Sequence, residues 1–103
     1  MSELKNTIML RDTSMLSDQS FEVARLWVTH GGYSTVFINA HYLPDPTQFG
    51  LLLADTIEHG ATAYASAFGM AREEAAAKIL EGFNDGRMDP TVSVDLNATG
   101  ETD

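Results

Sequence analysis

Residues 45–68, DPTQFGLLLADTIEHGATAYASAF, constrain this chain more than any other stretch. They open on a compact helix-start signal and then keep one period for about six turns. Asp45 suits the N-cap and Pro46 the first helical position, while Gln48 falls where a capping box places its return partner. At about 100° per residue, Phe49, Leu52, Leu53, Thr56, Ile57, Gly60, Ala63, Tyr64 and Ala67 share one broad face. Gly60 costs about 1 kcal/mol against Ala in mid-helix. With Ala63 and Ala67 it forms a groove of small residues, open to a close-packing element. Gly69 supplies the stop.

A second helix is predicted over residues 72–84, REEAAAKILEGFN. Glu73 and Glu74 favour its positive N-terminal end, and Gly86 with Pro90 closes it. Ala76, Ile79, Leu80 and Phe83 give it an apolar seam. The link through Met70 and Ala71 is short, so the two helices should run antiparallel. Beyond Pro90, Val92, Val94 and Leu96 alternate with Ser93 and Asp95, the pattern of a short edge strand. Residues 97–103 are expected to fray.

Upstream, residues 22–29 (EVARLWVT) and 33–40 (YSTVFINA) are rich in β-branched and aromatic side chains. His30-Gly31-Gly32 lies between them, and glycine tolerates the positive φ of a tight hairpin. A rival helix from Ser20 to His30 would scatter Phe21, Val23, Leu26, Trp27 and Val28 around its axis, so two antiparallel strands are the better reading. Leu26 and Val28 then point one way, with Val23 and Trp27 on the other face. A sheet apolar on both faces needs cover on both. The helices would take one, and a partner chain or a terminal segment the other. Residues 1–19 form an irregular leader, in which Ser17-Asp18-Gln19-Ser20 has the makings of one capped helical turn.

With 103 residues and 44% hydrophobic content, the chain is sized for one domain, with its core over about residues 20–91. Fifteen acidic residues face six basic ones, and the basic residues are scattered from Lys5 to Arg87. Nucleic acid and anionic membrane surfaces are therefore disfavoured as partners. Residues 49–68 are long enough to span a bilayer, but Asp55, Glu58 and His59 sit within them at high cost. There is no cysteine, which fits a cytoplasmic protein and removes thiolate chemistry. The opening residues lack the apolar run of a secretory signal, so the sequon at Asn97 reads as a chance match.

Several pieces resemble one small bacterial family of about 100-residue proteins known only as a domain of unknown function. They are Val23-Ala24-Arg25-Leu26-Trp27-Val28 before Gly-Gly, and Phe49-Gly50-Leu51-Leu52-Leu53-Ala54-Asp55 with His59 four residues on. A closing Phe83-Asn84 and Asp89-Pro90-Thr91 complete the set, which departs from the family pattern at Arg87-Met88. The resemblance spans residues 22–91 and implies one recurring small fold. It implies no activity, substrate or cofactor.

Asp55 and His59 are one turn apart on the long helix, so a carboxylate could orient an imidazole there. Thr62 and Ser66 continue that face. The structural reading is a half-buried histidine tied to its helix neighbour. The functional readings are a small-ligand or metal site, or weak acid–base catalysis. His41 could join Asp55 and His59 on a metal, although the spacing matches no ligand signature such as H-E-x-x-H. Arg25 and Trp27 alternate on one strand face, where the guanidinium could stack over an aromatic and present charge to a ligand; the favoured reading is a strand face covered by a partner, with the Arg stem packed on the ring. No phosphate loop, nucleophile elbow or calcium loop occurs.

The sequence thus predicts an α+β domain, an antiparallel β-hairpin followed by two antiparallel helices packed on one sheet face. The function it supports best is a non-enzymatic, self-associating cytoplasmic module, a homodimer with no cofactor. The alternative is a ligand or metal protein built on Asp55 and His59.

Overall fold

The computed structural model describes residues 4–96. The elements follow the predicted order: strand β1 (Ala24–Val28), strand β2 (Ser34–Ile38), a 3-10 turn (Ala40–Tyr42), helix α1 (Pro46–Phe68) and helix α2 (Arg72–Met88). The sequon at Asn97 and the expected fraying of residues 97–103 lie outside the described residues.

The strands pair antiparallel, with Ala24 opposite Ile38, Arg25 opposite Phe37, Leu26 opposite Val36, Trp27 opposite Thr35 and Val28 opposite Ser34. The hairpin closes as its sequence requires. Gly32 N–H donates to the Thr29 carbonyl at 3.1 Å, and Thr29 N–H donates to the Tyr33 carbonyl at 3.0 Å. Gly31 takes a φ of +67°, at a turn position where a Cβ would be strained.

Helix α1 starts and stops where its signals stand. Asp45 Oδ1 accepts from Thr47 N–H at 3.0 Å and Pro46 occupies the first turn. Gly69 ends the helix in the left-handed region at φ 65°, its N–H on the Ala65 carbonyl. A three-residue link, 69–71, then turns the chain into α2. This second helix runs past the predicted Asn84 to Met88, with the Arg87 guanidinium 6.0 Å from the centre of the Phe83 ring.

The helices pack through small residues. Ala61 (0% exposed) and Ala75 (2%) are the fully buried apolar side chains among the described residues. A Cβ on Gly60 would lie 3.4 Å from Ile79 Cδ1. Arg72 locks the seam, with Nη2 donating to Glu58 Oε1 at 2.5 Å and Nε to Thr62 Oγ1 at 3.2 Å.

Three expectations need correction. Close backbone approaches between the described elements run from α1 to α2 and from β1 to β2, with none between hairpin and helices. The helices therefore do not cover a sheet face. Residues 92–96, read as an edge strand, carry no strand and are exposed. Residues 17–20 form a tight turn, not a helical one, held by Ser20 Oγ on Ser17 N–H at 3.1 Å and Ser17 Oγ on Gln19 N–H at 3.1 Å.

The separation leaves a large surface. A folded monomer of this mass, 11.2 kDa, exposes about 5,700 Å². This chain exposes 9329 Å². Its radius of gyration is 15.5 Å, against about 13 Å for a compact domain of similar length.

Candidate functional site

The hairpin register sorts side chains by face, because directly opposed residues of an antiparallel pair point the same way. One face carries Ala24, Leu26, Val28, Ser34, Val36 and Ile38, and the other Arg25, Trp27, Thr35 and Phe37. Arg25 and Trp27 border a shallow hollow of about 440 Å³ together with Phe37, Asn39, Glu22 and Leu4 of the leader. A second open hollow continues along β1 to Ile8 and Leu10.

Arg25 is engaged by its own strand entry. Its Nη2 donates to Glu22 Oε1 at 2.6 Å and its Nε to Oε2 at 3.1 Å, a two-point clamp on an exposed pair. The guanidinium's hydrogen bonds hold the Glu22 carboxyl below its usual range, and Glu22 in turn raises the pKa of Arg25. The clamp fixes the guanidinium at the rim of the hollow and neutralises it there. Arg25 does not stack its guanidinium on a ring; the cation–ring contact among the described residues is Arg87 on Phe83.

Asp55 and His59 lie elsewhere, exposed on α1. Neither side chain makes a hydrogen bond or ion pair among the described residues, so the predicted carboxylate–imidazole link is not made. Neither borders either hollow. His41 sits in the 3-10 turn, where its backbone N–H donates to Asn39 Oδ1 at 3.1 Å. No group of three or more His, Asp or Glu residues capable of holding a metal occurs among the described residues, so His41, Asp55 and His59 do not converge. Thr62, read as part of the same polar face, instead accepts from Arg72.

Sequence reasoning thus brought Arg25 and Trp27 to one place and missed the partners around them. Phe37 follows from the register once the Gly-Gly turn is fixed. Glu22 is signalled by its three-residue spacing from Arg25. Leu4 and the leader carry no such signal. The 3-10 turn is joined to the leader side by stacking of Phe21 on Tyr42, with ring centres 4.7 Å apart.

No helix of the described residues is long and apolar enough to cross a membrane. No curated protein matches the chain in sequence. Among solved structures, the chain is similar to one described as "a putative pyruvate dehydrogenase from the photosynthetic bacterium Rhodopseudomonas palustrus CGA009". The two are 27% identical, with a TM-score of 0.61, over 100% of this chain and 97% of that one. The model of a family described as a domain of unknown function, DUF5076, matches residues 14–91, and the chain belongs to that family.

Proposed function

We propose that this protein is a non-enzymatic, cytoplasmic module whose working form is a homodimer. The observation that carries the reading is the surface excess of roughly 3,600 Å² over a compact monomer of the same mass. Half of that excess on each of two copies would supply an interface of about 3,600 Å² in total, within the range of obligate homodimers.

The exposed residues have the right chemistry for an interface. Leu26, Val36, Phe37, Ile38, Leu52, Tyr64 and Phe68 are all exposed, and a two-stranded hairpin without cover is marginal in water. The activity named for the Rhodopseudomonas protein does not enter the proposal. A site for a charged 2-oxo acid is built from buried polar groups, and no polar side chain is buried among the described residues. Asp55 and His59, exposed and outside both hollows, are assigned no ligand.

Light scattering on the eluting protein across a hundredfold concentration range tests the reading. A mass twice the 11.2 kDa of the chain supports it. A constant monomer mass with a cooperative melt overturns it.

A further inference from the structure

We propose that the two uncovered apolar surfaces of this chain cover each other between copies, the hairpin of each protomer seating on α1 of its partner. The inference rests on the self-association above and adds its geometry.

The first surface is the even face of the hairpin. Leu26 is 66% exposed, Val36 47% and Ile38 52%, and Ser34 is the one polar residue among the six that point this way. The leader meets the opposite face through Leu4 and also borders Leu26 across the second, open hollow, yet Leu26, Val36 and Ile38 stay exposed and neither helix approaches the even face.

The second surface is the back of α1. Ala61 marks the side turned to α2. Leu52 lies about 180° around the helix from it, with Ala63 and Thr56 within about 40° of Leu52. Thr56 Oγ1 donates to the Leu52 carbonyl at 2.8 Å, which turns its polar atom back into the helix and leaves its methyl outward. Leu52, the Thr56 methyl and Ala63 make the stripe low and largely apolar, a bed for a sheet face interrupted by His59 on its line, with Asp55 and Ser66 on its polar rim.

The connection between the two surfaces argues for exchange between copies. Residues 39–45 hold a 3-10 turn, its Leu43 N–H on the Ala40 carbonyl at 3.1 Å, and Pro44 restricts the backbone just after it. This bend leaves the hairpin clear of its own helices. A two-fold axis then lets each copy give its hairpin and receive its partner's, the isologous arrangement of an exchanged dimer. Pairing two β2 edges would satisfy strand N–H and carbonyl groups, but it would leave the even face and the α1 stripe in water. The exchange instead buries both surfaces on each copy.

Half of a sample labelled with 13C, mixed with unlabelled chain by unfolding and refolding, allows contacts between copies to be filtered from those within one. We expect filtered nuclear Overhauser effects from the Leu26, Val36 and Ile38 methyls to Leu52 and Ala63. Because the chain has no cysteine, Val36→Cys and Ala63→Cys variants give a second readout. Mixed and oxidised, they should cross-link several-fold more than either variant alone. A dimer whose intermolecular contacts join hairpin to hairpin only, or whose hairpin–helix contacts fall within one chain, overturns the exchange and leaves the dimer standing. A monomer at every concentration overturns both.

Discussion

Ile79 Cδ1 of α2 stands 3.4 Å from the point where a Cβ on Gly60 of α1 would be, so the two helices meet where one of them has no side chain. The contact involves the free end of a flexible side chain, which can shift by tenths of an ångström. Gly60→Ala should therefore retain the seam while removing the glycine's helix cost, leaving the protein unchanged or up to about 1 kcal/mol more stable. Gly60→Leu should lose about 1–3 kcal/mol by forcing the helices apart. Urea unfolding at fixed protein concentration checks both signs.

The Asp45 cap offers an independent measure of what holds α1 in place. Its Oδ1 accepts from Thr47 N–H, a bond on an exposed helix end. Asp45→Ala should cost about 1 kcal/mol, and Asp45→Asn a few tenths. Thermal melts followed by circular dichroism would show the order, and equal losses would mean that Pro46 alone sets the helix start.

These local signals are the part of the fold most legible in the sequence. Gly31, Asp45, Pro46 and Gly69 each impose a backbone state that few other residues favour, and each stands where it was read. The packing was less legible because hydrophobic period gives a face without naming its partner. The broad α1 stripe predicted for a sheet is divided: Ile57 and Gly60 lie on the α2 side, with Ala61, which the stripe left out, at its centre, and Leu52 and Ala63 lie on the uncovered side. Alanine weighs little in any such pattern. Arg25 and Trp27 were placed together correctly because strand alternation is rigid. Asp55 and His59 share a turn, but one-turn spacing permits a bond without requiring it.

Acidification should act on the hairpin through Glu22. Its carboxyl is held below the ordinary value of 4.5 by the hydrogen bonds from Arg25. A depressed pKa contributes stability above the ordinary value and loses it as pH falls through the folded one. Asp12 and Asp89, lowered by bonds from Ser14 and Thr91, act in the same sense below 3.8. All three are exposed and their effects are small. Glu22→Gln should flatten the Glu22 share of the loss below about pH 4.5 and leave melting near neutrality little changed, as judged by midpoints across the acid range.

Salt should strengthen the proposed dimer. Each copy carries a net charge of −9, so two copies repel while their apolar surfaces attract. Raising ionic strength from about 0.02 to 0.5 M screens the repulsion and should lower the dissociation constant. Sedimentation equilibrium at both salts would detect it. A dimer weakened by salt would mean that ion pairs, not apolar area, join the copies.

Single charges on the even hairpin face should separate the copies. Val36→Asp would bury an unpaired carboxylate and raise the dissociation constant more than about tenfold. Asp55→Asn removes no side-chain hydrogen bond and lies on the rim of the stripe, so melting should move by less than about 0.5 kcal/mol and the dimer should persist, while His59→Ala, on the stripe itself, should leave the dimer in place or tighten it. Added divalent metals should leave the melting of the parent and both variants alike. A metal-dependent rise confined to the parent would restore Asp55 and His59 as a site.

The gap between hairpin and helices also bears on how the chain folds. Both units close contacts between sequence neighbours, so each can form rapidly and without reference to the other. Among the described elements of one chain, no direct contact tells the strands that the helices are in place. In the proposed dimer, all-or-none behaviour would come from the meeting of two copies, and cooperativity would be a bimolecular property. Refolding should then show a fast local phase that ignores dilution and a slower one whose rate falls with it.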